Sequence, residues 1–224
     1  MTLSIIMPVL NEAACIGTTL RALSPLRTRG AEVIVVDGGS RDGTAELARS
    51  LADRVLVAPR GRAKQMNAGA AAAKGDAFLF LHADTRLPDN ADMSILAALA
   101  TRPWGRFDVR FDSGGWLRVV ALAMNLRSRL TGIATGDQAM FVGRKAFIEA
   151  GGFVPIPLME DIALSARLRR IGRPYCISTP VTTSARRWRK NGIGRTILLM
   201  WQLRLRYFFG ADPARLARTY GYDG

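Results

Sequence analysis

The sequence predicts an α/β fold with a mostly parallel sheet flanked by helices on both faces. Three observations predict it. Short, continuous apolar runs alternate with helical stretches through the first half of the chain, as in successive βαβ units. The runs lack the polar alternation of a half-exposed sheet, which is the pattern of strands buried on both faces. Several runs also end in polar clusters, and in parallel sheets ligands bind outside the carboxyl ends of the strands.

Taken in order, the expected strands are SIIMPVL (4–10), EVIVVD (32–37), RVLVA (54–58) and AFLFLH (77–82), all rich in Val, Ile, Leu and Phe. Helices are expected over about 13–23, 44–52 and 62–74. The last contains the alanine run of AGAAAAKG, which favours helix, and Gly75 is its expected stop. The first strand runs into Asn11-Glu12, the second into Asp37-Gly38-Gly39-Ser40 and the fourth into His82-Ala83-Asp84. Three polar clusters therefore converge on one sheet edge.

With 224 residues and 49% hydrophobic content the chain can bury a substantial core. One domain is expected over 1–190, followed by an amphipathic helical extension over 191–224. The formal net charge of +14 calls for anionic partners: phosphorylated small molecules, nucleic acid or acidic lipid headgroups. Cys15 and Cys176 form neither a CxxC pair nor a secreted-type framework, so both are expected to be reduced. The opening MTLSIIMPVLNE has no basic leader, and ILLMWQL (197–203) falls well short of the ~20 residues that span a bilayer. The expected location is cytoplasmic.

The strand ends constrain the ligand chemistry. A dinucleotide fold would place G-x-G-x-x-G after its first strand, where this chain has N-E-A-A, and G-x-x-x-x-G-K-[ST] is missing as well. Phosphate held by a glycine-rich first loop is thus not expected. The other way to hold a diphosphate is through Mg²⁺ or Mn²⁺, and two ligands at i and i+2 beyond a strand can face one cleft. His82 and Asp84 have that spacing. On the residues alone, His82 as a satisfied histidine and Asp84 as a cap for the segment after Pro88 is the alternative.

SIIMPVLNE, EVIVVDGGSRDGT, RGRAKQMNAGAAAAKGD, FLFLHADT, GGF and PLMEDIALSARLRRIG occur in the order and approximate spacing of a family 2 glycosyltransferase. The resemblance runs from residue 4 to about residue 188 and is nearest to small bacterial members that lack transmembrane helices. It implies the GT-A fold and sugar transfer from a nucleotide-diphosphate donor, a UDP-sugar in the first place, to an acceptor hydroxyl. It implies that Pro8, Asn11 and Glu12 lie beside the nucleoside and that Asp37 contacts the uracil or ribose. Arg62 and Asn67 fall where the family places groups near the base and diphosphate, with Lys64 adding charge. Asp84 matches the last aspartate of the family's D-x-D motif, which holds the metal, and His82 stands where the first aspartate is expected.

The same resemblance makes Asp161 the general base of an inverting reaction, with Glu160 beside it as a supporting or acceptor-binding group. On the residues alone, Asp161 reads first as an N-terminal helix acid stabilised by the helix dipole. Asp137, in TGDQAMF, is read as a sugar contact or as a turn former. Gly151-Gly152-Phe153 resembles the family's G-G-F turn. Arg187-Trp188 matches the R-W of the processive members' Q-x-x-R-W, with Ser184 in place of the glutamine. Arg186 or Arg187 would pair with the diphosphate and Trp188 would stack on the acceptor.

NGIGRTILLMWQLRLRYFFG (191–210) mixes aromatic and aliphatic residues with arginines, the composition of an interfacial helix, and WLRVVALAMNLRSRL (116–130) is similar. A lipid-linked or carbohydrate acceptor and an anionic inner-leaflet surface are the partners this suggests, with a core helix or a dimer interface as the alternatives. Nucleic acid is not an expected partner: the arginines are dispersed and no RNP-type strand or zinc spacing is present. A nucleotidyltransferase, or a degenerate scaffold that binds nucleotide without turnover, are the other functional readings.

Overall fold

Alternation inside each apolar run sends successive side chains to opposite faces of the sheet, and both faces are covered. The computed structural model describes residues 1–221. Strands β1 (Leu3–Val9), β2 (Glu32–Asp37), β3 (Arg54–Val57) and β4 (Ala77–Phe80) pair in parallel in the order β3-β2-β1-β4. Helix α1 (Ala13–Ala22) follows β1, the short α2 (Ser24–Thr28) leads into β2, and α3 (Thr44–Arg49) and α4 (Arg62–Ala72) precede β3 and β4.

Beyond β4 the sheet turns mixed. After β5 (Thr85–Arg86) and α5 (Ala91–Leu99) come β6 (Trp104–Phe111), α6 (Trp116–Thr131), a 3-10 turn (Gly136–Gln138), β7 (Phe141–Gly143) and α7 (Arg144–Glu149). Helix α8 (Glu160–Ile171) and β8 (Tyr175–Thr183) complete the sheet, in the order β3-β2-β1-β4-β7-β6-β8-β5. β7 is antiparallel to both β4 and β6, whereas β6 and β8 are parallel. Three helices follow: α9 (Arg186–Asn191), α10 (Ile193–Phe208) and α11 (Pro213–Tyr220).

One core lies on each face. Ile5, Met7, Val33, Val35 and Leu79 pack with Ile16 and Leu20 of α1 and Ile95 of α5. Ile6, Ile34, Val36, Phe78 and Phe80 pack on the other face with Met66 of α4, Phe147 of α7 and Leu164 of α8. Helix α4 approaches β1 so closely that a Cβ on Gly69 would lie 2.4 Å from the Ile6 side chain. Burial at this level drives folding at about 25 cal/mol per Å² of apolar surface.

Two expectations need correction. β3 is an edge strand and is not buried on both faces; Val57 is 77% exposed. Gly75 does not cap α4: the helix stops at Ala72 with Ala73 in extended conformation. Gly75 is required by packing instead, since a Cβ there would lie 2.7 Å from the Ser4 nitrogen. The two cysteines are free, as expected.

The C-terminal helices belong to the fold around the cleft. Leu203 of α10 and Leu216 and Ala217 of α11 are buried with Leu158 and Met159, directly before α8. Residues 222–224 of the expected 191–224 extension lie outside the described residues. No helix of the described residues is long and apolar enough to cross a membrane.

Candidate active site

The carboxyl ends of β1 and β4 open into a cleft of about 860 Å³, closed on its other sides by the 3-10 turn, the start of α8 and helices α6, α9 and α10. Glu12, His82, Asp84, Asp137, Glu160 and Asp161 all line it, and so do Arg62, Arg127, Arg186, Arg187 and Arg204. The expected metal-side and base-side residues therefore share one cavity.

On the metal side, β4 ends at Phe80 and the chain turns through His82 to Asp84, which is no helix cap, since α5 begins after Asn90. Burial pushes the Asp84 carboxyl above its ordinary range; Asp137 and Glu12 add to that, and His82 and Arg186 oppose it. The His82 Nδ1 lies 3.5 Å from the Asp137 carboxylate. Burial would raise Asp137 too, but hydrogen bonding and attraction from His82, with Arg62 and Arg204, bring it below the usual carboxylate value. Arg186 spans the mouth, bonding both Glu12 oxygens at 3.1 Å and lying 4.0 Å from Asp84.

The donor set decides what sort of cation fits. Among the described residues no three His, Cys, Asp or Glu side chains converge as a metal cage. Among the described residues no hydrogen bond reaches the Asp84 carboxylate, and the Arg186 guanidinium lies 4.0 Å from it. One carboxylate and an imidazole open to a cleft suit a cation that takes its remaining ligands from a diphosphate and water, as Mg²⁺ commonly does. The residues fit that group, and Asp84 and His82 are the side chains that would hold it.

On the base side, α8 starts after Met159, whose φ of 70° is left-handed and strained for a non-glycine residue. That bend aims two successive carboxylates inward. Asp161 Oδ2 accepts the Gly136 N–H at 2.8 Å and Oδ1 accepts its own helix's Ile162 N–H at 2.7 Å. Glu160 is buried; desolvation, then repulsion by Asp161, raise its pKa to about 7, with Arg62 offsetting part of the rise.

Several expected contacts turn inward. Asn11 takes a left-handed backbone (φ 54°) and braces two loops, its side-chain oxygen accepting the Arg41 N–H and its own N–H donating to the Ser40 hydroxyl oxygen. The Asp37 carboxylate is occupied by the Gly39 and Ser40 N–H groups and the Ser40 hydroxyl of its own loop. Asn67 both donates to and accepts from the Phe153 backbone, pinning the Gly152-Phe153 turn, and Lys64 is exposed. None of these four side chains lines the cleft, whereas Pro8 does. Arg187 stacks on the Tyr220 ring, 3.5 Å to its centroid, so Arg186 is the arginine at the carboxylates. Trp188 packs edge-to-face on Phe111 at 5.4 Å while still lining the cavity.

Sequence reasoning missed Gln65, Arg127, Arg204 and Tyr220. Gln65 is buried and its amide donates to the carbonyls of Val9 and Val36, joining the ends of β1 and β2 beneath the cleft. Its neighbours Arg62 and Asn67 drew attention; the helical spacing that points Gln65 at the strands was available.

The architecture is a parallel half, β3-β2-β1-β4, joined to a mixed half, with carboxylates lining the cleft at the seam. Residues 4–152 match the Glycosyl transferase family 2 domain, and the chain belongs to that family. A Pseudomonas paraeruginosa undecaprenyl-phosphate 4-deoxy-4-formamido-L-arabinose transferase is 30% identical over 168 residues, covering 66% of this chain and 48% of that protein. The chain thus spans about half the length of the curated relatives it matches. Among solved structures, S. aureus TarS 1–349 superposes with a TM-score of 0.69 at 18% identity, over 83% of this chain and 61% of that one. A Pyrobaculum calidifontis mannosyltransferase, solved with GDP-Man and Mn²⁺, gives 0.63 at 22%, over 81% and 56%. These likenesses establish the GT-A type of fold.

Proposed function

We propose that the protein transfers a glycosyl group from a nucleotide-diphosphate sugar, with a UDP-sugar as the first candidate, to an acceptor hydroxyl with inversion. The observation that carries this reading is the meeting, in one cleft of a family 2 chain, of Asp84 and His82 with Asp161. The donor's diphosphate is assigned to the side lined by Pro8, Glu12, Arg62, Asp84 and Arg186, and the acceptor to the side lined by Asp137, Glu160 and Trp188.

In the reaction the acceptor oxygen bonds to the anomeric carbon as that carbon's bond to the diphosphate oxygen breaks. Asp161, held by two N–H groups, takes the hydroxyl proton, and the bonding electron pair departs with the diphosphate. Arg62 and Arg186 face the charge that develops there. A divalent cation bound at Asp84 and His82 would add positive charge at the same place.

The relatives' names support a lipid-linked acceptor, and so do the outer faces of α6 and α10. Leu122, Leu126 and Leu130 on α6 are exposed and lie off the cleft, as are Leu198, Leu205 and Phe208 on α10. Arginines 118, 129, 195 and 206 alternate with them. With the net charge of +14, this is the composition of a surface that docks on anionic lipid.

The test is a thermal-shift screen of UDP, GDP and TDP with and without Mn²⁺, followed by product analysis. A saturating nucleoside diphosphate raises stability by RT ln(1 + [L]/Kd). UDP with Mn²⁺ should raise the Tm of wild type and of Asp161→Asn but not of Asp84→Ala, and turnover by Asp161→Asn should fall by about 10²–10⁴. Release of pyrophosphate in place of a nucleoside diphosphate would reassign the protein as a nucleotidyltransferase. Binding without turnover under every acceptor condition would make it a scaffold.

A further inference from the structure

Helix α11 ends at the cleft. Asp212 caps its start, accepting the Ala214 N–H at 3.0 Å, and Pro213 occupies its first turn. Leu216 is fully buried, and Tyr220, one turn further along the same face, lines the cleft. Leu216 and Ala217 pack against Leu158 and Met159, the two residues directly before Glu160. The helix is thereby fixed to the segment that aims the two carboxylates.

The Tyr220 ring is clamped a second time. The Arg187 guanidinium stacks on it, 3.5 Å from the ring centroid, and Arg187 Nη2 donates to the Tyr220 carbonyl at 3.2 Å. Burial pushes the phenol above its ordinary pKa; Arg62 and Arg187 oppose the rise, and Asp137 and Asp161 add to it. Tyr220 therefore stands within electrostatic reach of an arginine assigned to the diphosphate and of carboxylates assigned to the acceptor side and the base. Neither the phosphate chemistry nor the proton transfer calls for an aromatic ring at that place.

In the proposed reaction the group between those two sides is the transferred sugar. A pyranose carries hydroxyls at its rim and C–H groups on its faces. An aromatic ring offers such a face a flat apolar surface that asks for no hydrogen bond. A ring already clamped by a guanidinium and carried on a buried helix loses little side-chain freedom when it is covered.

We propose that Tyr220 is the platform on which the donor's sugar rests, and that its ring is a determinant of donor selectivity. This rests on the transferase reading and deepens it: the donor turns a C–H face of its pyranose towards the end of α11. Arg187 then acts through Tyr220, as the residue that orients the ring.

The experiment is a calorimetric titration of the full chain with Mn²⁺ and no acceptor. UDP is compared with UDP-glucose and UDP-N-acetylglucosamine, and GDP with GDP-mannose, on wild type, Tyr220→Ala, Tyr220→Leu and Tyr220→Phe. The quantity read is the Kd of the nucleotide sugar that wild type binds best, divided by the Kd of its nucleotide. Loosening of α11 moves both affinities together and leaves the ratio alone, whereas loss of a contact to the sugar raises it. Tyr220→Ala and Tyr220→Leu should raise the ratio roughly two- to tenfold, the range of a lost aromatic contact. Tyr220→Phe should keep it within about twofold of wild type. Leucine preserves apolar bulk against Leu216 and Leu158, so Tyr220→Leu reads out even if Tyr220→Ala unfolds.

A ratio unchanged in both Tyr220→Ala and Tyr220→Leu overturns the proposal. Tighter nucleotide binding by those variants, with the ratio unmoved, would make the ring an obstruction of the cleft and overturn it as well. A rise in Tyr220→Phe as large as in Tyr220→Ala would give the contact to the hydroxyl and remove the ring from the role. In each of these cases nucleotide sugars bind and this inference fails alone. If wild type binds neither nucleotides nor nucleotide sugars, the transferase reading fails and this inference falls with it.

Discussion

Replacing Glu160 with glutamine isolates the most perturbed carboxyl in the cleft. Its pKa is raised from 4.5 to about 7, first by burial and then by the neighbouring Asp161 charge, with Arg62 opposing. A carboxyl whose folded pKa lies above its unfolded value holds its proton more tightly when folded. The folded protein is therefore favoured most below pH 4.5, and that advantage is lost as pH rises through about 7. At about 1.4 kcal/mol per pH unit, the span from 4.5 to about 7 amounts to roughly 3 kcal/mol. Glutamine keeps the shape and has no proton to lose. Wild type and Glu160→Gln should then differ little at pH 4.5, while at pH 8 the variant should be the more stable by about 3 kcal/mol, or roughly 6–12 °C in Tm for a chain of this size. Urea unfolding at pH 4.5, 6 and 8 measures this directly. A difference between the two proteins that stays constant with pH would refute the reasoning, because it would mean that Glu160 titrates alike in both states.

Asn67→Ala removes both hydrogen bonds to Phe153, and at about 1 kcal/mol each should cost roughly 1–3 kcal/mol in chemical denaturation; a matching loss of UDP affinity would return Asn67 to the donor site. Arg186→Ala should tighten Mn²⁺ binding measured without nucleotide, since the guanidinium competes for Asp84, yet weaken UDP binding. Each change should be up to about fivefold, given the roughly 0.2–1 kcal/mol of exposed ion pairs. Gly136→Ala would place a Cβ 2.6 Å from His82 Nε2 and should cost at least tenfold in kcat while the fold survives, as read by steady-state kinetics beside circular dichroism. Wild type should float with anionic vesicles, and Leu122→Glu combined with Leu198→Glu should remain at the bottom of the gradient, each leucine contributing up to about 1.5–3 kcal/mol on full burial; wild type failing to float would remove the membrane surface from the proposal.

How legible the molecule was depended on which force set each feature. β1, β2 and β4 announce themselves because both faces are buried, so their residues are apolar without interruption. β6 is less visible: WGRFDVRF carries the buried Arg106, paired with Asp108, which reads as a polar position until the ion pair is known. β7 has three residues, too few for any period. At the site, Glu12, His82, Asp84 and Asp161 were legible because parallel strand ends and helix starts must open onto the cleft. Asp37 and Asn67 stand back from the cleft for a local reason: Asx side chains satisfy nearby backbone groups as readily as they bind ligands, and here they do the former. Arg127 and Arg204 could not be picked out of two arginine-rich helices, since only tertiary packing brings those helices to one cavity.

His82, in place of the expected aspartate, follows from the charge around it. An aspartate there would stand between Asp84 and Asp137, and three carboxylates in a partly buried cleft would repel one another and resist ionisation. The imidazole instead lies against the Asp137 carboxylate and helps to hold it ionised, while opposing the rise at Asp84. It can do so because Gly136 has no side chain to keep it away. The same Gly136 turns its N–H to Asp161. The Gly136-Asp137 pair therefore touches the cation side through His82 and the base side through Asp161, so a shift at either end is transmitted through two residues. In the proposed reaction the departing diphosphate and the attacking hydroxyl would be aligned across one anomeric carbon, and a turn clamped at both ends is a physical means of fixing that distance.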